Sequence, residues 1–305
     1  MPRLAQVGTS GRLEPAKIHD MHASRQLFQG LGVTVVDFRC RAHVHSHGAA
    51  EPNATHQIVF VRRGLFTCTG RHGNLVADAN QILFFNEGRA HRYAHPLPGG
   101  DDCTILALDE ECARGLSERL PDGNGDRADP FPLDRAPSTP RAARRHLELL
   151  VALSSTASPP ALAVQEIVVE LIEAAALALH AALTAGAAKP AVVSAWGREK
   201  VEAAQVALNR SLDAPPSLTE LAAALDCSPF HLSRTFRAAT GLGLRHYLRR
   251  LRCRLAADRL RRGGGDLTDL ALDLGFCDHS HFTNTFRREW GVPPSRLMDA
   301  GGGAR

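Results

Sequence analysis

Apolar residues in the last third of the chain recur at helical spacing, and the pattern occurs twice. In SLTELAAALDCSPFHLSRTFRAATG (217–241), Leu218, Leu221, Ala222 and Leu225 fall at i, i+3, i+4 and i+7, one buried helical stripe. In DLTDLALDLGFCDHSHFTNTFRREWG (266–291), Leu267, Leu270, Ala271 and Leu274 repeat it, and Phe236 and Gly241 return as Phe286 and Gly291. The offset is 49–50 residues, with one insertion between the two helices of the second copy. Ser217 and Asp266 are expected N-caps. A short turn follows, over 226–229 or 275–278, and Ser228 before Pro229 marks a second helix start. That helix should bury Leu232 and Phe236 in the first copy, and Phe282, Phe286 and Trp290 in the second. Each copy therefore reads as a helix-turn-helix, the unit that sets a short helix into the DNA major groove.

The opposite face of each second helix follows from about 100° per residue. In the first copy it carries Phe230, Arg234 and Arg237, flanked by His231 and Ser233. In the second it carries Ser280, His281, Asn284, Arg287 and Arg288, with His279 at the helix start. Arg bonds guanine bidentately, Asn bonds adenine, and an exposed Phe packs on a thymine methyl. The later arginines suit phosphate. A solvated polar face would use the same residue types, but its repetition and an apolar Phe230 argue for DNA. Between the copies, Leu244, Leu248, Leu251, Leu255 and Leu260 make one further stripe. Eight arginines share that stretch: Arg245, Arg249, Arg250, Arg252, Arg254, Arg259, Arg261 and Arg262. A rigid spacer helix is expected, some of its arginines meeting phosphate and the others lying on the surface.

The stretch from about 200 to 298 resembles the AraC/XylS family of bacterial transcription regulators. GFCDHSHFTNTFRREWGVPPSRL (275–297) follows the family's second-motif ending. Ser228, Leu232, Arg234, Phe236 and Arg237 match its first recognition helix. Two features depart from the family. Asn284 stands where a basic residue is frequent, and Ser295-Arg296-Leu297-Met298 lacks the usual aromatic–Arg pair. The resemblance implies duplex DNA as partner, a homodimer, and contact with RNA polymerase, as in an activator.

Short runs rich in Val, Ile, Phe, Leu and Thr mark strands at 31–47, 57–63, 65–69, 81–86 and 104–108, punctuated by Gly64, Gly70, Gly73, Gly88 and the Pro/Gly run at 96–100. A sandwich or barrel is expected. Its turn spacing resembles the cupin-like sensor domain of many AraC-type regulators, which implies a small-molecule effector inside the barrel. The candidate lining residues are His43, His45, His47, His56 and His91. The first three alternate along one strand with Arg39 and Arg41, opposite Val36, Phe38, Cys40, Ala42 and Val44. A pocket wall, a solvent-facing strand, or a loose metal set of His45, His47, Glu51 and His91 would each use them. Cys40 and Cys68 read as buried thiols, with redox or thiophilic-metal sensing as the other reading. No cofactor and no catalytic constellation is expected.

Residues 121–140, rich in Pro, Gly and Asp, read as a loop. Helices follow over 141–153 and 161–183. The second is apolar around much of its circumference, which suits packing between domains or a dimer interface. Its Gln165, Glu166, Glu170 and Glu173 argue against a membrane span. Three parts result: a sensor over 1–120, a helical connector over 121–190 and a DNA-binding part over 191–305. The fold class is α+β, a cupin-like β-barrel followed by a connector and an all-α double helix-turn-helix. Residues 192–305 carry 17 Lys/Arg and 12 Asp/Glu, a local +5 within a chain of net +4. That places the basic excess with the duplicated motif. With no leader-like apolar run at the start, a reducing cytoplasm and seven free thiols are expected. The leading reading is an effector-responsive transcription regulator. The alternative is a metal-dependent cupin enzyme or metal sensor fused to a DNA-binding module.

Overall fold

Alternation along the strands builds the front half. The computed structural model describes residues 22–42, 48–70, 73–119, 129–154, 160–187, 194–263 and 265–297. Among the described residues, ten strands form a six-stranded sheet, ordered β1(His22–Gly30), β2(Val33–Cys40), β9(Asp101–Leu108), β4(His56–Gly64), β7(Gln81–Phe85) and β10(Arg135–Pro137), and a four-stranded sheet, β3(Glu51–Pro52), β8(Ala90–Ala94), β5(Phe66–Gly70) and β6(Gly73–Ala77). All the pairings are antiparallel. On β4, Val59 and Val61 face inward and meet Leu83, Phe85, Phe66, Cys68 and Leu75 between the two sheets. Ile58 and Phe60 point the other way, into a second core with α1(Glu110–Ser117), α2(Pro140–Ser154) and α3(Ala161–Ala187). The central strands β4 and β7 are thus buried on both faces, which is why they read as nearly continuous apolar runs, whereas β2 alternates.

Several elements escape the sequence pattern. β1 is an exposed edge strand whose polar residues give no period, β8 mixes polar and apolar residues, and β10 has only three residues. The loop expected over 121–140 therefore contains an edge strand, with Arg135–Pro137 pairing Gln81–Leu83. Helix α3 is long and apolar enough over Ala161–Ala185 to cross a membrane by composition, with mean hydropathy 1.8. In this fold Val164, Val168, Leu171, Ala175 and Leu179 bury against the sheet. Helix α2 is shared between cores: Ala142 and Leu149 face the sheet, while Ala143 and Leu147 join the second helix-turn-helix. All seven cysteines are free thiols, as expected.

A bulge between Val61 and Arg63 turns Arg62 onto Asp37 of β2, a buried ion pair that Arg39 completes. Burial would raise the Asp37 carboxyl, but the bonds to Arg62 and Arg39 outweigh it and hold the pKa down. Nearby, His146 of α2 is buried, stacks on Phe60 and bonds Thr104 Oγ1 at 2.8 Å. Burial, with Arg62, Arg261 and Arg254 around it, holds its pKa well below the usual imidazole value. A depressed folded pKa means that protonation favours the unfolded chain. The stability from a neutral His146 is therefore fully present above the unfolded value of about 6.5 and is lost progressively as pH falls from there towards the depressed folded value. His91, also lowered by burial, adds to the slope with the same sign. Urea melts above and below about pH 6.5 should show stability falling on acidification by up to about 1.4 kcal/mol per pH unit from His146. His146→Gln should remove that share; an unchanged slope would show that His146 is not held neutral.

Candidate nucleic-acid interface

The C-terminal part opens with α4(Ala195–Arg210) and contains two helix pairs, α5(Leu218–Ala224) with α6(Pro229–Thr240) and α8(Leu267–Asp273) with α9(His279–Trp290), joined by α7(Leu244–Arg261). The caps show why each helix starts where it does. Ser217 and Glu220 form a reciprocal capping box, Ser228 accepts from the His231 N–H at 3.1 Å, Asp266 from Thr268 and Asp269, and Asp278 from His281 at 2.7 Å. Gly241 and Gly291 end α6 and α9 in the left-handed region, with φ of 74° and 76°. Between the helices of each pair, Asp226 (φ 48°) and Gly275 (φ 74°) occupy the same left-handed position. A Cβ at Gly275 would lie 2.4 Å from the Asp213 carbonyl oxygen, so this copy needs glycine.

Burial divides each recognition helix as the periodicity predicts. Leu232, Phe236, Phe282, Phe286 and Trp290 are buried, and Trp290 donates its indole N–H to the Cys253 carbonyl at 3.2 Å. Outward from α6 stand Phe230, His231, Arg234 and Arg237, with Ser233 half-buried. Phe230 is 88% exposed, a full aromatic ring in water at a helix start. His231 packs on Trp196 of α4 with ring centroids 5.0 Å apart. From α9, His279, Ser280, His281, Asn284, Arg287 and Arg288 are exposed. His281 sets its ring edge-on to Phe276 at 5.4 Å. The structure thus gathers the candidate DNA residues onto two exposed helix faces.

The spacer arginines behave differently from the expectation of phosphate or surface roles. On α7, Arg250 reaches Glu289 and the Ser138 carbonyl, Arg252 the Leu212 and Gly275 carbonyls, and Arg254 both Ser138 oxygens. Arg259 pairs with Asp273, Arg261 with Asp258 and Ser154, and Arg262 with Asp102 of the front sheet. Six of the eight are bound within the protein: Arg250, Arg254, Arg261 and Arg262 reach residues before the C-terminal part, while Arg252 and Arg259 bond within it. Arg245 is exposed and Arg249 half-buried. The seam they border is polar and closed. The Tyr247 hydroxyl donates to Asp78 Oδ2 at 2.6 Å and accepts from Gln205 Nε2 at 2.7 Å; Asn209 Nδ2 donates to the same Asp78 oxygen at 2.9 Å, and Asn80 Nδ2 to the Tyr247 carbonyl at 2.9 Å. Burial raises the Asp78 carboxyl against these donors. Sequence reading missed this seam, since Asp78 and Asn80 look like ordinary turn residues.

The front-half candidates separate. His43, His45 and His47 lie outside the described residues. His56 and His91 are both buried, but His91 lies inside the sandwich and His56 outside it, on the helix side of the six-stranded sheet. His56 accepts from the Glu87 N–H and meets Phe131 in the helix-side core. His91 sits edge-on to Phe85 between the sheets and contacts Asn53. They do not form one pocket. Glu51, exposed, pairs with His91 across β3 and β8. Cys68 is buried, which pushes its thiol up to about 12, as an inert core thiol would be. A groove of about 440 Å³ lies elsewhere, between the β1–β2 turn, α1 and α3, lined by Leu31, Val33, Leu116, Ile172 and Leu177 with Arg119 at its edge.

Two capped helix-turn-helix units on one spacer helix, each presenting an exposed arginine-bearing face and the second adding Asn284, define a DNA-binding transcription regulator. A family model described as a helix-turn-helix domain matches residues 221–300. The regulatory protein SoxS of Salmonella typhimurium is 34% identical over 88 residues, 29% of this chain and 82% of SoxS. The activator RhaS of Escherichia fergusonii is 39% identical over 66 residues, 22% of this chain and 24% of RhaS. The chain belongs to the AraC family of transcription regulators. Against longer relatives such as RhaS the match spans well under two thirds of their length. Among solved structures, an AraC-type regulator from Chromobacterium violaceum is 21% identical over 37% of this chain and all of its own, with a TM-score of 0.34. ToxT of Vibrio cholerae covers 92% of this chain and 98% of its own at 8% identity, also at 0.34, too low a score to argue the front fold from.

Proposed function

We infer that the chain reads an operator with α6 and α9 and that a small-molecule effector acting on its front half adjusts that reading. The observation that carries this is the exposed face repeated on both recognition helices, with Phe230 and Arg234 on one and Asn284 and Arg287 on the other. Base contacts fall to Phe230, Arg234 and Asn284; Arg237, Arg287 and Arg288, together with Arg245 and Arg249 of the spacer, suit phosphate. The front sandwich serves as a cupin-like sensor, and the groove between α1 and α3 is an apolar seat for an effector. Leu162, exposed on α3 clear of that groove, marks the face for a homodimer. A cytoplasmic activator that contacts RNA polymerase, rather than an enzyme, fits this reading.

Binding of the full chain to a selected duplex and to random duplex, across a salt series, tests it. Affinity should prefer the selected site, and log K should fall with log salt at about 0.9 per phosphate contacted. Arg287→Ala or Arg288→Ala should weaken both duplexes alike and shallow the slope by about 1. Equal affinity for every duplex would remove the sequence-reading role.

A further inference from the structure

We propose that Cys40, His95 and Asp101 form a site for one zinc-type divalent cation inside the front sandwich, and that its occupancy is passed to the DNA-binding half through Asp102 and Arg262. The inference does not depend on which helix faces read DNA.

The three groups converge from separate parts of the fold. Cys40 ends β2, directly across from Asp101 at the start of β9, and His95 follows β8. One ligand atom from each lies within 4.8 Å of the others. His95 Nε2 is 2.7 Å from Asp101 Oδ1. Tetrahedral zinc, with bonds of about 2.0–2.3 Å, holds its ligands about 3.3–3.8 Å apart, so only small side-chain shifts close the site. Cys40 and Asp101 are buried, and His95, 12% exposed, lies at the accessible edge. The backbone is shaped for this approach. Gly100 has φ +62° and a Cβ there would lie 2.1 Å from the Cys40 carbonyl oxygen; a Cβ at Gly64 would lie 2.0 Å from the Gly100 oxygen. Only glycines let the 99–101 turn lie close enough to bring Asp101 to Cys40.

The donor set selects the metal class. Thiolate, imidazole and carboxylate suit zinc or its borderline neighbours, whereas magnesium and calcium want oxygen throughout. Asp101 and Asp102 are treated differently by the fold. Asp102, fully buried, takes Arg41 at 2.6 Å, Arg63 at 3.3 Å and Arg262 at 2.7 Å. Among the described residues, the side-chain oxygens of Asp101 take His95 and the Cys103 thiol, the latter at 3.0 Å from Oδ2. Cys103 is thus a positioning residue that orients the carboxylate, and the fourth coordination place is left to water or a small ligand. Metal entry releases the Cys40 thiol proton and the proton held between His95 and Asp101. Closing Asp101 on Cys40 moves the adjoining Asp102, and Asp102 grips Arg262 at the end of α7. Arg41, bonded to both the Cys40 carbonyl and Asp102, ties the two sides together.

The test titrates cobalt(II), and zinc in competition with it, into the full-length reduced protein. One cobalt per chain with a thiolate-to-cobalt charge-transfer band is expected. The band should vanish in Cys40→Ser, while zinc affinity falls at least tenfold in His95→Gln and Asp101→Asn; Cys103→Ser should keep the band and weaken binding about 10–100-fold. No stoichiometric cobalt, or a band that survives Cys40→Ser and disappears instead in Cys277→Ser, overturns the site. If Cys40→Ser does not fold, unchanged zinc affinity in both other ligand variants overturns it equally. Zinc should also change duplex affinity of the wild-type chain at least fivefold. Arg262→Gln should keep the cobalt band and lose that change. Metal bound with no effect on wild-type DNA affinity overturns the coupling. Loss of sequence-selective DNA binding with the cobalt band intact would count against the DNA reading alone.

Discussion

Tyr247→Ala is expected to destabilise the folded chain by about 3–5 kcal/mol. The side chain is completely buried, its ring meets Phe236 edge-on with centroids 5.1 Å apart, and its hydroxyl holds Asp78 and Gln205. Truncation opens a cavity in the core of the first helix pair. It also strips a donor from a carboxylate whose burial already favours the protonated form. Tyr247→Phe separates the two contributions, because it keeps the ring and removes only the hydroxyl, at about 1–3 kcal/mol. Urea unfolding followed by tryptophan fluorescence and circular dichroism gives both values. In Tyr247→Ala the two probes should part, because Trp196 and Trp290 both lie in the C-terminal half whereas the sandwich dominates the strand signal. A loss below about 0.5 kcal/mol in Tyr247→Ala would put the residue in the class of ordinary surface positions and remove the seam from the account of stability.

Arg234→Ala and Asn284→Ala should each cost about 1–3 kcal/mol of binding free energy at particular base pairs and leave non-specific binding nearly unchanged. Together, on separate helices with no shared partner, they should add to about 2–6 kcal/mol at the cognate site. The difference from Arg287 and Arg288 is one of chemistry, because phosphate is present at every sequence. Site selection with each variant, followed by affinity for wild-type and selected duplexes, measures this. An unchanged base preference in both variants would mean that the bases are read by other residues, Phe230 and Ser280 being next on those faces.

The legible part of this chain was the part in which local chemistry decides structure. Ser217, Ser228, Asp266, the left-handed glycines and the leucine stripes each act within a turn or two of helix, so the double motif could be written down from the residues. Phe230 stood out because no solvated face needs a phenyl ring. The spacer arginines were misread for the opposite reason. Arg250, Arg254 and Arg262 find partners at Ser138 and Asp102, more than a hundred residues away, and an arginine bound to a carbonyl looks in sequence like one awaiting a phosphate. His56 and His91 were grouped by residue type, whereas β4 turns His56 to the helix-side core and β8 turns His91 between the sheets. His95 and Asp101 drew no notice because a Pro/Gly turn separates them, and the close approach of that turn to Cys40 depends on Gly64 and Gly100.

Helix α7 is fastened along its length: Tyr247 to Asp78 near its start, Arg250 and Arg254 to Ser138 in the middle, Arg262 to Asp102 at its end. From Tyr247 to Arg262 that is roughly 22 Å of helix at 1.5 Å per residue. A beam pinned at three points cannot flex between its two loads. Any signal that tilts the front half must then present or withdraw both reading heads as one piece. The distance between half-sites becomes a constant of the molecule, and regulation changes how often the pair engages rather than which spacing it accepts.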